Sequence, residues 1–536
     1  MRLGYVAAAF AGLAITATLY LYGLDRVPVY LGLDEAHFGV HGYALAQTGR
    51  NLNGDRLPLF VNLADPRGDQ PVLPWGNTWY QPVLFYLVAA TLYWLPLSEA
   101  SIRVPMALLG GVVNIALIYA VAWRLSRRHV IAIVAAVLLA VSPASLILSR
   151  QALDYMLPVP FILGWMLCLA LHLETGRPQW ALAAGAVLGA GCYSYITSWM
   201  MMPVYLAVTG ISYVLAAKAP SRSGAITVAA FAMPVLLLLP WLWSHPEFAD
   251  NVRRQYSTAD SANPTLLQVA SVDGVQVASR RLTALYWDYF NPSFLFVFGG
   301  NSRNMSSGLA GVFPFAVALL LPAGVLALLK RPRRDWITWL LLFGVATAPI
   351  PAILKGTPAA IQRATALLPF VALVSAFGFG VMWDSRRRLL RWCAAGLLLA
   401  AVAQFAGFYG DYFSGYRWRS ARSADSTAFS EVAAALLAAV DGNATPVIYL
   451  TAPMHDASAK WRFYLTKHGR LDLLDRTRYF DGRVLALPDA TQGSLAVVPL
   501  EEVSTAGVTE SGAWERYRSI ADLTGNPVVV IFRKTG

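Results

Sequence analysis

Apolar runs of about 20 residues, the length that spans a bilayer as an α-helix, recur from one end of this 536-residue chain to the other. A chain in water covers itself with polar groups, and this one cannot: 57% of its residues are hydrophobic and 13% are charged, about half the charged share of a soluble domain. The expected fold class is therefore an α-helical polytopic membrane protein. Its three cysteines, Cys168, Cys192 and Cys393, fall inside apolar runs, where a thiol behaves as a small hydrophobe and offers neither metal-ligand spacing nor a disulfide framework. A net charge of +12 invites nucleic acid as a partner, but most Lys and Arg lie in short clusters beside the apolar runs. Topology and anionic lipid account for such clusters, so nucleic acid is set aside and membrane lipid retained.

The clusters also orient the helices. Arg124/Arg127/Arg128, Lys218/Arg222, Lys330/Arg331/Arg333/Arg334 and Arg386/Arg387/Arg388/Arg391 each end an apolar run, and the positive-inside rule places all four in the cytoplasm. The expected spans are 3–22, 101–124, 129–148, 153–172, 179–195, 198–217, 224–243, 309–330, 336–354, 360–382 and 391–410, eleven crossings with the N-terminus cytoplasmic and the C-terminus outside. The first run follows Arg2 like a signal peptide but lacks an A-x-A-like cleavage site, and is read as an uncleaved helix. Counting Pro82 to Leu97 as a crossing would put the Arg124 cluster outside, so that stretch is expected to be an interfacial or re-entrant helix. Residues 1–410 then form the membrane domain, with outer loops at 23–100 and 244–308. Residues 411–536 alternate a helix-like run at 429–440 with β-rich runs at 446–450, 484–487, 495–498 and 528–532, which predicts a small extracytoplasmic α/β domain.

Sorting by side gathers Asp34, Glu35, His37, Arg103, Arg150, Asp154, Tyr193, Tyr195, Lys355 and Arg363 at the outer face. Ionisable groups at membrane depth are costly and line cavities or pathways, so the gathering suggests a site open to that face. A carboxylate of the Asp34-Glu35 pair could accept the proton of an attacking hydroxyl; an ordinary solvated loop acid is the plain alternative. Arg150, Lys355 and Arg363 suit a phosphate, because guanidinium forks match phosphate oxygens and stabilise a departing one, against the alternative of lipid-headgroup contact or snorkelling. Trp75, Trp79, Tyr80, Trp287, Tyr289 and Phe290 suit either sugar stacking or an interfacial aromatic belt. No cofactor is required by these residues. A divalent cation is left open, with Glu35 and His37 its weak ligand candidates.

Asp34-Glu35, His41-Gly42-Tyr43-Ala44-Leu45-Ala46-Gln47-Thr48-Gly49-Arg50 and Gly54-Asp55-Arg56-Leu57-Pro58-Leu59 resemble the first outer loop of bacterial polyprenyl-phosphate-dependent glycosyltransferases of the GT-C superfamily, which includes the protein O-mannosyltransferases and aminoarabinose transferases. Further matches follow in family order: Gln81-Pro82-Val83-Leu84-Phe85-Tyr86, Ile102-Arg103-Val104-Pro105, Ser149-Arg150 with Asp154, Tyr193-Ser194-Tyr195, Tyr289-Phe290-Asn291-Pro292, Gly356-Thr357-Pro358, and Arg363 with Pro369. Each is short, but together they cover residues 1 to about 410 in a consistent order. The resemblance implies a GT-C fold and an inverting transfer of sugar from a polyprenyl-phosphate donor to a hydroxyl on a protein, lipid or glycan acceptor. It implies Asp34 as base with Glu35 beside it, Arg363, Lys355 and Arg150 on the donor phosphate, and Asp154, Tyr195, Arg103 and Tyr289 on substrate. A transporter or flippase of lipid-linked sugars would carry polar groups through to the cytoplasmic side. The spans are nearly free of them below the outer third, which favours an enzyme; an O-antigen polymerase or ligase is the other alternative.

Overall fold

The computed structural model describes residues 2–63, 79–248, 272–300, 302–332, 335–421, 428–451, 457–480, 490–503 and 513–535. Each expected span overlaps a helix or a bent helix pair, from Arg2–Leu21 through Glu99–Ser126 and Asp154–Thr175 to Arg388–Phe413, though several helices are shorter than the span expected. Among the described residues six helices are long and apolar enough to cross a bilayer, and seven if one bent pair counts as a single span. Apolar helices at Phe10–Leu21, Ala316–Leu329 and Leu367–Trp383 are shorter, so the expected eleven exceeds what length and composition alone support.

The shortening has local causes. The 129–148 stretch bends by 60° between His129–Ala140 and Pro143–Ser149. Pro143 has no N–H to continue the first helix, and Ser142, in extended backbone, accepts the Ser145 N–H as the cap of the second. Ahead of Leu367–Trp383 the chain makes a short 3₁₀ turn, Ile361–Arg363, rather than helix. The Pro178–Gly191 helix stops before Tyr193 and Tyr195, which therefore sit in a turn. The helix at Pro82–Leu92 has 11 residues, too short to cross, in keeping with an interfacial or re-entrant element.

The chain divides into two compact units. The first comprises residues 1–22, 80–84 and 106–411, and is the helical membrane unit. Its helices approach closely through glycine: a side chain on Gly185 would meet the Thr227 carbonyl, and one on Gly324 would meet that of Val374. Arg124 and Arg127 pair with Glu174, and Arg128 with Asp384, so part of the basic clusters is neutralised within the unit.

The second unit comprises residues 23–79, 85–105 and 412–536. Its sheet contains strands β1 (Ile448–Thr451), β2 (Thr477–Phe480), β3 (Leu495–Pro499), β4 (Trp514–Ala521) and β5 (Pro527–Lys534), ordered β2-β1-β3-β5-β4. β1 runs parallel to β2 and β3, with Ile448 opposite Thr477 and Leu495, while β5 runs antiparallel to β3 and β4. Tyr449, Ala496, Val498, Val530 and Phe532 pack on one face, and Ile448, Leu450, Val497 and Ile531 are buried on the other, as expected of strands covered on both sides. The runs expected at 446–450, 495–498 and 528–532 are β1, β3 and β5. β2 and β4 were not anticipated: β4 is an edge strand burying Trp514 and Ile520 but exposing the charged residues between them, so it reads as polar. The run at 484–487 lies outside the described residues. Residues 23–79 and 85–105 thus group with the sheet, whereas the sequence assigned them to the membrane domain.

Candidate active site

The acidic pair lies in the sheet-bearing unit and opens a helix, Leu33–Thr48, rather than sitting in a loop. Gly32 precedes that helix in extended backbone, and its N–H donates to Oε2 of Glu35 at 2.8 Å. This satisfies a backbone donor that the helix start would otherwise orphan. Gly49 ends the helix with a left-handed backbone, φ 67°, and its N–H returns to the Leu45 carbonyl.

Arg103 grips the same carboxylate. Its Nε and Nη2 donate to Oε1 and Oε2 of Glu35, both at 2.8 Å, and the two side chains are 0% and 2% exposed. Nη1 donates to the carbonyls of Leu24 and Pro28 at 2.8 and 2.9 Å, and Nη2 to that of Tyr30 at 3.2 Å. A guanidinium has five N–H donors, and all of them are engaged inside the protein. Arg103, expected at the substrate, therefore has no donor left for one and instead ties Leu24–Tyr30 to the start of the acidic helix. Glu35 is equally committed, which argues against a metal-ligating role. Asp34 differs: it is half-buried, in the first helical turn where a negative charge is favoured. Successive helical residues diverge by about 100°, so fixing Glu35 inward turns Asp34 away from the pair.

His37 and His41 stand one turn apart with ring centroids 6.3 Å apart, and His41 meets the Phe85 ring edge-on at 5.8 Å. Burial, aided by His37 and Arg462, pushes the His41 imidazole down to about 3 and keeps it neutral. Among the described residues no three His, Cys, Asp or Glu side chains converge as a metal site would require.

Arg150, Lys355, Arg363, Tyr195 and Tyr289 lie in the membrane unit. Lys355 ends the Ile350–Lys355 helix and Arg363 ends the Ile361–Arg363 turn; both are half-exposed, and their charges are close enough to interact. Gly356, φ 74°, lets the chain reverse between them. Tyr289 braces this loop: its hydroxyl donates to the Thr357 carbonyl at 2.6 Å and accepts the Ala360 N–H at 3.2 Å. Burial pushes the Tyr289 hydroxyl up to about 12, against the opposing influence of the Ala360 N–H and the Arg363 charge, so it stays protonated. The 3₁₀ turn carrying the buried Asp154 packs against the Arg363 turn, and Tyr195 meets Tyr155 of that turn edge-on at 5.3 Å. Tyr193 is turned aside, its hydroxyl donating to the Pro234 carbonyl.

Arg150 departs from expectation. It is fully buried, and Nη1 donates to the Tyr20 carbonyl at 2.8 Å and more weakly to that of Leu19 at 3.5 Å. These are last-turn carbonyls of the first helix, where a cation complements the helix end. A phosphate entering from lipid or solvent cannot reach it there without rearrangement. Sequence reasoning missed Arg281, whose Nη2 lies 3.6 Å from where a Gly356 Cβ would stand. It belongs to the Val272–Asp288 helix, inside a stretch read as hydrophilic loop; the helical spacing of Leu282, Leu285 and Tyr286 is the signal that marks it. Of the aromatics, Trp287 is 63% exposed and Trp75 lies outside the described residues.

Residues 74–243 match the family profile described as dolichyl-phosphate-mannose-protein mannosyltransferase. The chain is similar in structure to ArnT from Cupriavidus metallidurans, solved with undecaprenyl phosphate, with a TM-score of 0.55 at 11% identity over 99% of this chain and 98% of that one. It is also similar to the oligosaccharyltransferase AglB from Archaeoglobus fulgidus, solved with an inhibitory peptide and a dolichol-phosphate, with a TM-score of 0.50 at 17% identity over 84% of this chain. It spans 63% of the length of that archaeal enzyme. Compared by sequence with curated proteins, it has no match. The chain is a multi-pass membrane protein with the GT-C glycosyltransferase fold.

Proposed function

We propose that this protein is an inverting glycosyltransferase that moves a sugar from a polyprenyl-phosphate carrier to an acceptor hydroxyl at the outer face of a bacterial cytoplasmic membrane. The N-terminus is then cytoplasmic and the sheet-bearing unit extracytoplasmic. Asp34 accepts the proton of the acceptor hydroxyl as its oxygen attacks the anomeric carbon from the face opposite the phosphate. The bond from that carbon to the phosphate oxygen breaks through an oxocarbenium-like transition state, and the lipid phosphate leaves with the electron pair. A phosphate monoester is a stable leaving group, so a single carboxylate suffices. Arg363 and Lys355, with Arg281 beside Gly356, bind the donor phosphate and stabilise its growing charge. Asp154, Tyr195 and Tyr289 shape the sugar subsite, while Glu35, Arg103 and Arg150 hold backbone in place.

The observation that carries the reading is Asp34 itself: a half-exposed carboxylate at a helix start, beside a buried carboxylate locked to a guanidinium with no spare donor. The test offers the purified protein, in lipid, a panel of radiolabelled polyprenyl-phosphate monosaccharides and acceptors, and reads the anomeric configuration of the product. Inversion from one donor supports the reading. Retention of configuration contradicts it, and tight donor binding without transfer to any acceptor favours a transporter.

A further inference from the structure

The chain after residue 411 supplies a sheet and helices that make three specific contacts with the acid-bearing helix and the segments beside it. Phe463, fully buried on the Ala457–Lys467 helix, packs an edge of its ring against Gly39 of the Leu33–Thr48 helix. A Cβ on Gly39 would stand 2.8 Å from Cε2 and 2.9 Å from Cδ2 of that ring, and 3.6 Å from Cδ1 of Ile102, the neighbour of Arg103. Any side chain at position 39 therefore displaces the acidic helix, the ring or both.

A second tether acts through the arginine. Lys467, on the helix of Phe463, pairs with Glu99 at 2.7 Å, four residues before Arg103 on the same helix. The third holds the segment ahead of the acids: the Tyr30 hydroxyl accepts the Leu523 N–H at 2.9 Å, while the Tyr30 carbonyl accepts from Arg103. Leu523 lies in the β4–β5 turn, which Asp522 stiffens by accepting from the backbone of Thr524 and Asn526. The acidic helix and the Arg103 helix are thus both held by the Ala457–Lys467 helix, and the entry segment by the β4–β5 turn.

We infer that the C-terminal α/β domain positions the base, with Gly39, Phe463 and Lys467 as positioning residues that hold the Asp34 helix in its productive placement. This rests on the assignment of Asp34 as the base. Misplacing a reacting group by about 1 Å costs on the order of 100-fold in rate without weakening a ligand bound elsewhere. The signature is therefore a fall in kcat with donor affinity preserved.

The experiment uses the full-length protein in lipid and measures kcat, acceptor KM and the Kd of a polyprenyl-phosphate sugar for Gly39→Ala, Lys467→Met and Asp34→Asn. Gly39→Ala is expected to lower kcat by roughly 10- to 100-fold, with donor Kd within about twofold of the parent. Adding Phe463→Leu, which makes room for the new methyl group, should recover much of the loss. Lys467→Met removes a tether without adding volume, should move kcat in the same direction, and decides the matter if Gly39→Ala does not fold. Parent-like kcat in Lys467→Met and in any folded Gly39→Ala, with Asp34→Asn inactive, overturns the positioning role and leaves the base standing. Turnover by Asp34→Asn overturns the base assignment itself.

Discussion

Arg103 illustrates how a residue's role depends on what surrounds it. Its pairing with Glu35 is bidentate and dry, and its partner lies 68 positions away in sequence, so no local pattern announces it. Arg103→Met should destabilise the protein by about 3–5 kcal/mol, because a buried carboxylate is left without its counter-charge. Arg103→Lys should restore only part of that loss, since an ammonium cannot fill a fork that also serves three carbonyls; chemical unfolding in detergent measures both. The Asp34-Glu35 pair stands out in the sequence as two adjacent acids after an apolar helix, and the resemblance separates a base from the acid beside it; that Glu35 is held by Arg103 is visible only in the structure. His41 supplies a pH prediction. Its imidazole is depressed to about 3 when folded, against the usual value near 6.5 when unfolded, so below about pH 6.5 only the unfolded chain takes up the proton. Stability from this group is intact above that pH and declines as pH falls toward 3. His41→Gln should flatten the acid limb of the unfolding profile, and an unchanged slope would contradict the burial argument.

Secondary elements were read well where hydrophobic periodicity is strong and poorly where polar residues or glycine interrupt it. The long apolar helices follow the expected spans, but Pro143 and the turn before Leu367 break stretches that composition treats as continuous. The helix bearing the acids was read as loop because Gly39 and Gly42 lower its helix propensity, and those glycines are where Phe463 and Val88 pack closest. The same explanation covers β4, whose exposed charges conceal an edge strand. At this scale the proposed donor-phosphate site consists of the Lys355 helix end and the Arg363 turn, held around Gly356 and braced by Tyr289. Arg363→Ala and Lys355→Ala should each weaken donor binding by roughly 10- to 100-fold, the usual range for losing a charge-assisted contact. Arg150→Ala should instead lower thermal stability by freeing carbonyls at the end of the first helix. Donor Kd and the melting temperature, measured on the same preparations, separate the two classes.

For the whole molecule, the membrane character and the fold were legible in the spacing of apolar runs and in the order of short motifs along residues 1 to about 410. The grouping of residues 23–79 and 85–105 with the C-terminal sheet was not, because it depends on contacts such as Phe463 on Gly39 and Lys467 on Glu99 that join distant parts of the chain. The proposed chemistry has one carboxylate as base, with Glu35, Arg103, Gly39, Phe463 and Lys467 proposed to hold its helix. The most direct test compares wild-type protein with Asp34→Asn, purified into lipid, for transfer from a polyprenyl-phosphate sugar and for binding of that donor. Asparagine keeps the shape of the side chain and removes its ability to take a proton, so transfer should fall by at least about 100-fold while donor affinity and melting temperature stay close to those of the parent. Near-normal turnover by Asp34→Asn would contradict the account at its centre.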